Sequence, residues 1–151
     1  MNSFYNITDK IKQVVSAEPF NNEMTFGDIS DIDLKKQSLF PLAHLTVNNA
    51  TINDNFVNFN MTVFFMDIVD SSNEQTRDYF IGNDNTHDIL NKKLALTTRM
   101  MRVFTKSNLY TDKFELINPA TCEPFTERFD NTLAGWAVTF DVGTKDEMTF
   151  C

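Results

Sequence analysis

The sequence contains little glycine, proline, cysteine or tryptophan, and each shortage excludes a class of protein. Four glycines and four prolines among 151 residues exclude collagen-like repeats and a low-complexity chain. The two cysteines, Cys122 and Cys151, form no CxxC pair and lie far in sequence from His44 and His87. That spacing excludes a disulfide scaffold and a zinc finger. We therefore expect two free thiols and no metal or cofactor.

Basic charge and long hydrophobic runs are also scarce. The chain has 13 Lys and Arg against 21 Asp and Glu, which gives a net charge of −8. No more than two basic residues are adjacent, so there is no basic patch for a phosphate backbone. No run approaches the ~20 apolar residues of a membrane helix, and the N-terminus does not resemble a signal peptide. These features predict no specific nucleic-acid binding, no membrane partner and a location in the cytoplasm of the producing cell.

Motifs for catalysis are missing as well. The sequence has no GxSxG, no glycine-rich phosphate loop and no cysteine with a recognisable histidine partner. Asp28, Asp31 and Asp33 lie close together, but they lack the alternating ligand pattern of a calcium loop. A solvated or partner-facing acidic segment explains them better. We predict no catalytic residue, no metal ligand and no enzymatic activity.

The residues that are abundant favour paired strands with Asn-type turns, since the chain has 15 Phe and 17 Asn. Apolar spacing predicts a helix over 3–17, a longer helix over 84–106 and a β-hairpin formed by 42–52 and 56–69. Further strands are predicted at 113–117, 125–129 and 133–142. The sequence thus predicts one α+β domain over 1–151, an antiparallel sheet with one long and one shorter helix packed on it.

The hairpin and the longer helix supply the predicted core. One strand face carries five alternating apolar residues: Val57, Phe59, Met61, Val63 and Phe65. The facing helical stripe is predicted to contain Leu90, Leu94, Thr97, Met101 and Phe104, widened by Ile89, Leu96, Met100 and Val103. An Asn or Asp at 83–85 is predicted to cap the helix. Phe64 lies on the opposite strand face. A strand that is apolar on both faces needs two covers, and another subunit is a candidate for the second.

Residues 18–41 have no clear period, and we predict an extended arm there. The arm holds three acidic residues, Asp28, Asp31 and Asp33, which would form a charged rim. An aperiodic segment must bury its large apolar side chains somewhere, and a two-helix domain offers little surface for them. We predict that seven of them pack on a neighbouring subunit: Phe20, Phe26, Ile29, Ile32, Leu34, Leu39 and Phe40.

The layout resembles the tail terminator, or tail-completion, family of tailed bacteriophages. The resemblance rests on four stretches: DLKKQSLFPLAHLTV (33–47), VNFNMTVFFMDIVD (57–70), LTTRMMRVF (96–104) and PFTERFDNTLAGWAVTFDV (124–142). The last stretch, with its Asn-centred turn followed by Ala-Gly-Trp and an alternating strand, is the most similar. The arm at 18–41 is longer than the usual connection in the family, so either a terminator or a related connector ring fits.

The resemblance implies a structural virion protein that assembles in the host cytoplasm. Its partners would be further copies in a ring, a hexamer or dodecamer, together with the portal-side connector and tail proteins, and DNA would pass through the channel. The alternative from the residues alone is a small cytosolic α+β domain that binds or hydrolyses a small molecule. Native mass separates the two, because only the ring subunit needs to assemble.

Overall fold

The computed structural model describes residues 3–19, 21–28, 39–69, 80, 85–106, 114–128 and 133–145. These residues form two helices and six strands. The helices are α1 (Ser3–Ser16) and α2 (Thr86–Thr105). The strands are β1 (Glu23–Phe26), β2 (Leu42–Ile52), β3 (Phe56–Ile68), β4 (Phe114–Leu116), β5 (Thr121–Arg128) and β6 (Leu133–Lys145).

The six strands form one sheet in the order β1-β2-β3-β6-β4, and β5 also pairs with β6. Strand β3 pairs with β6 along its whole length, from Phe56 opposite Lys145 to Ile68 opposite Leu133. Four of the five strand pairings are antiparallel, but β1 runs parallel to β2. The predicted α+β architecture of a sheet with two helices is therefore present, with a mixed rather than a wholly antiparallel sheet.

Both helices pack on one face of the sheet, where the main hydrophobic core lies. The five alternating residues predicted on β3 are all buried there, and Met61, Val63 and Phe65 are fully buried. Helix α1 contributes its predicted stripe, because Ile7, Ile11 and Val15 follow one another at helical spacing. The hairpin and both helices therefore lie close to the predicted positions.

Helix α2 buries most of its predicted stripe. Its buried residues are Ile89, Lys93, Leu96, Thr97, Met100, Met101 and Phe104. Six of these seven belong to the predicted stripe or to the residues that widen it, whereas Leu94 is 39% exposed and Leu90 only half-buried. The exception is Lys93, whose long aliphatic stem can pack like an apolar side chain. Asn85 precedes the helix, as predicted, but its side chain makes no capping hydrogen bond.

The arm prediction needs a correction at β1, because residues 23–26 form a strand in this domain's own sheet. Glu23 to Phe26 pair with Leu42 to Leu45. The strand is only four residues long, and both of its end residues are exposed. It therefore does not show the alternation of buried and exposed residues by which a longer strand is recognised. Gly27 then turns the chain with φ of +117°, a conformation that suits glycine.

Strand β5 begins earlier than predicted, at Thr121 rather than Phe125. Pro124 lies inside the strand, although proline cannot donate to a strand ladder. Among the described residues β5 pairs only with β6, so Pro124 lies on an edge strand, where proline is tolerated.

Candidate functional site

The strongest candidate for a binding surface is a groove between α1 and β1. We call it the aromatic groove. It has a volume of about 350 Å³ and is lined by Phe4, Tyr5, Thr8, Asp9, Lys12, Met24, Thr25, Phe26 and Leu45. Tyr5 is 66% exposed and Phe26 is 59% exposed. Two large aromatic side chains that stay in water beside each other favour a surface that binds a partner.

The aromatic groove has a rigid base. Phe4 lies between its exposed neighbours and the core, with ring centroids 6.3 Å from Tyr5, 6.2 Å from Phe26 and 5.5 Å from Phe59. Phe59 belongs to the buried face of β3. The exposed aromatic side chains are therefore held by packing against the domain core, which lowers the entropy that a partner must overcome on binding.

His44 fastens the strand that forms one wall of the groove. It is fully buried in β2, where its Nε2 donates to the Gly27 carbonyl oxygen at 2.8 Å and its Nδ1 lies 2.7 Å from Thr25 Oγ1. The Thr46 hydroxyl donates to the same carbonyl at 3.0 Å. Burial lowers the pKa of His44, an effect opposed by the Gly27 hydrogen bond and by Asp28. The neutral imidazole thus ties β1 to the sheet at the point where the chain enters residues 29–38.

The predicted interface residues differ in how far they are exposed to solvent. Phe26 is exposed in the aromatic groove, as an interface residue should be. Phe40 is only 8% exposed and packs with Leu42 and Phe125 of its own chain, with Leu39 against the same cluster. Since Phe40 is already buried within its own domain, we remove it from the candidate interface.

The other predicted residues lie mostly beyond the part of the chain that the structure describes. This holds for Phe20, Ile29, Ile32 and Leu34, and for Asp31 and Asp33 of the predicted rim. Asp28 is described and exposed, one residue after the Gly27 turn. Sequence reasoning missed Phe4, Tyr5 and Met24 as partners of Phe26, because only the packing of α1 against β1 brings them together.

The sheet face opposite the helices is divided into two parts. At one end a second apolar cluster forms around Leu42, Met66, Phe125 and Leu133, and Phe64 packs against it. The apolar side chains that cover Phe64 on this face of β3 therefore come in part from this chain itself.

At the other end of that face a row of polar side chains crosses the sheet. Asn48 Nδ2 donates to Asn60 Oδ1 and Thr62 Oγ1, both at 2.8 Å. Asn60 Nδ2 donates to Asp141 Oδ1 at 2.8 Å, and Thr62 Oγ1 lies 3.1 Å from Thr139 Oγ1. These side chains satisfy one another without a ligand.

Other reactive groups are dispersed. Lys93 is 2% exposed, and burial lowers the pKa of its ammonium, with the Asp67 carboxylate opposing that change. Cys122 is a free thiol whose pKa is raised by burial. In the described ranges no three His, Cys, Asp or Glu residues gather closely enough to hold a metal ion. None of the helices in that part of the chain is long and apolar enough to cross a membrane.

Comparison with protein-family models finds no match, and comparison with curated protein sequences finds none either.

Proposed function

We propose that this protein is a structural ring subunit of a tailed bacteriophage, in the head-to-tail connector or at the head-proximal end of the tail. The observation that carries the proposal is the aromatic groove, in which Tyr5 and Phe26 are exposed and Phe26 shortly precedes residues 29–38 in the chain. Those residues add Ile29, Ile32 and Leu34. A ring subunit covers such apolar surface with its neighbour, and every copy presents the same donor and acceptor surfaces.

The order of the elements supports the proposal. The resemblance to tail terminators rests on the order of a helix, a long arm, a hairpin, a helix and closing strands. Elements α1, β2–β3, α2 and β4–β6 follow one another in that order, with the short strand β1 inside the predicted arm. Charge supports it too. A net charge of −8 disfavours retention of DNA, which suits a subunit that lets DNA pass through a channel. The virion neck or tail would be its location, and neighbouring connector and tail proteins its further partners.

Native mass and shape test this proposal. We expect the purified full chain to sediment as a closed oligomer of six or twelve copies, and negative-stain images to contain rings with a central channel. A protein that stays monomeric across the whole accessible concentration range, and also fails to assemble with connector proteins of its phage, would contradict the proposal. It would favour the small-molecule domain instead.

A variant set separates assembly from folding. Phe26→Glu places a charge in the aromatic groove, and the triple change Ile29→Ser, Ile32→Ser and Leu34→Ser removes the apolar side chains that follow it. Both should abolish the oligomer while the circular dichroism spectrum and melting temperature stay close to wild type. Ile117→Glu is the matched control, because Ile117 is 40% exposed on the other side of the sheet. Deleting residues 20–38 would not separate assembly from folding, because the deletion also removes strand β1.

A further inference from the structure

A second groove lies between the C-terminal half of α2 and the strands β4 and β5, at the edge of the sheet away from β1. We call it the α2 groove. Its volume is about 500 Å³, which is within the range of small-molecule sites. Met101 of α2, Leu116 of β4 and Cys122 of β5 line it, and the connection 117–120 closes one side.

The floor of the α2 groove is apolar. Met101 belongs to the main core, and Leu116, Ala120 and Cys122 pack against that core. Burial raises the pKa of the Cys122 thiol, so this side chain is uncharged at neutral pH and adds to the apolar surface. A hydrocarbon or aromatic group that lies on this floor would be removed from water.

Three threonines of α2 line the groove without offering it a donor. The hydroxyls of Thr97, Thr98 and Thr105 each donate to the carbonyl oxygen four residues earlier, at 2.8 Å. Their protons are therefore used within the helix. Among the side chains that line the groove, the N–H donors belong to Arg102 and Asn118.

The charge of the α2 groove is positive, although the chain as a whole is acidic. Among the described residues, Arg102 is the one charged side chain that lines the groove, in a chain with 21 acidic and 13 basic residues. Arg102 is exposed, and no side chain in the described part of the chain forms a hydrogen bond or ion pair with its guanidinium. The guanidinium is therefore available to an anion.

The acidic residues of the neighbouring strands point away from the groove. Glu115 precedes Leu116 on β4, and Glu123 follows Cys122 on β5. Because Leu116 and Cys122 face the helix-side core and successive strand residues point to opposite faces, both glutamates lie on the other face of the sheet. An anion that enters the groove would thus meet a guanidinium without a carboxylate from these strands beside it.

We propose that the α2 groove binds a small amphipathic carboxylate, a molecule with one carboxylate group and a short hydrocarbon or aromatic body. Arg102 would pair with the carboxylate, since a guanidinium presents parallel N–H donors that match its two oxygens. One guanidinium balances one negative charge, whereas a phosphate monoester carries about 1.5–2 at pH 7. The body would lie on Met101, Leu116 and Cys122. The proposal does not depend on the ring, because the aromatic groove lies at the other edge of the sheet.

Cys122 lets the occupancy of the groove be measured directly. In a Cys151→Ala background it is the remaining thiol, and its alkylation by the uncharged reagent iodoacetamide can be followed by mass spectrometry. Hexanoate should slow this alkylation in a saturable way. 1-Hexanol, which has the same chain length, should require about tenfold higher concentration, since it lacks the charge-assisted pair. Hexylamine, which is cationic, should protect least.

Variants assign the effect to the groove. Arg102→Gln should remove the preference for hexanoate over 1-hexanol and leave protection by 1-hexanol unchanged. Lys106→Gln is the matched control, because Lys106 is an exposed basic residue at the end of the same helix that does not line the groove, and this variant should keep the preference. Thr98→Phe, at an exposed position of α2, should fill the groove and prevent protection by either ligand. Melting temperatures identify variants that fold.

Three results would overturn the proposal. The first is equal protection by hexanoate, 1-hexanol and hexylamine in the chain with wild-type Arg102. The second is a preference for hexanoate that survives Arg102→Gln. The third is unchanged alkylation of Cys122 with hexanoate at up to about 20 mM, a concentration at which even a weak complex would form.

Discussion

Neighbouring phenylalanines on β3 illustrate how differently the two sheet faces are built. Phe65 is fully buried under both helices in a core that joins α1, α2 and four strands. Phe64 points the other way and is half-buried beside a small cluster, next to a row of hydrogen-bonded polar side chains. The covered face holds the domain together. The opposite face holds only a smaller apolar cluster and polar side chains that bond to one another.

Truncating each phenylalanine in turn gives the largest expected contrast. Phe65→Ala should lower the free energy of unfolding by about 3–5 kcal/mol, the usual cost of an aromatic side chain lost from a core. Phe64→Ala should cost about 1–2 kcal/mol, since less apolar surface is removed from contact. Urea unfolding followed by circular dichroism measures both. Equal losses would mean that the second face is as important to stability as the first.

Gly135 offers a test of how closely β6 and β3 approach. A Cβ atom at this position would lie 1.8 Å from the backbone oxygen of Phe65, and backbone cannot move aside as a side chain can. Gly135→Ala should therefore destabilise the protein by about 3 kcal/mol, at the upper end of the overpacking range. Gly27→Ala is a useful comparison because nothing lies near its Cβ position and only its positive φ is strained. A neutral Gly135→Ala in thermal melts would contradict the close approach.

A hydrogen bond from Trp136 ties α2 to the sheet at the covered face. Trp136 Nε1 donates to the Leu90 carbonyl at 2.7 Å. Trp136→Phe keeps an aromatic ring but removes the donor, so we expect a loss of about 1 kcal/mol. Hydrogen exchange should also accelerate in the first half of α2 more than in the second. Uniform acceleration along the helix would show that the tryptophan acts through packing instead.

The smallest effect is expected at the ion pair that joins α2 to the residues after α1. Arg99 Nε and Nη2 each donate to one carboxylate oxygen of Glu18, both at 2.7 Å. Because Arg99 is partly exposed, Glu18→Gln should cost less than about 1 kcal/mol, and added salt should shrink the difference. Lys92→Gln, which removes the exposed contact with Asp88, is the control and should cost less still. A loss that salt does not reduce would contradict the electrostatic explanation.

The hairpin and the first helix could be predicted because their apolar periods are long and unambiguous. Val57, Phe59, Met61 and Val63 alternate with polar residues, and Ile7 and Ile11 recur at helical spacing, so burial follows directly from the pattern. Strand β1 could not be predicted, since four residues carry too little period. Lys93 was left out of the predicted α2 stripe because a pattern counts it as polar, whereas packing buries its aliphatic stem.

The candidate site shows the same division between local pattern and packing. Phe26 and Phe40 were assigned to the same predicted interface because their surroundings are aperiodic, but Phe26 is exposed whereas Phe40 is buried by its own chain. Whether an apolar side chain in an irregular segment faces its own domain or a partner depends on contacts distant in sequence. The pairing of β1 with β2 decides this for both residues, since it holds Phe26 at the groove and brings the chain back at Phe40.

The sequence by itself determined the hairpin, the two helices, the buried face of β3 and the acidic charge, because each depends on residue type and short-range spacing. Only the tertiary structure decided the parallel pairing of β1, the burial of Lys93 and the aromatic groove. Those features come from which segments meet, and the free energy of such meetings depends on surfaces that both segments form only after folding.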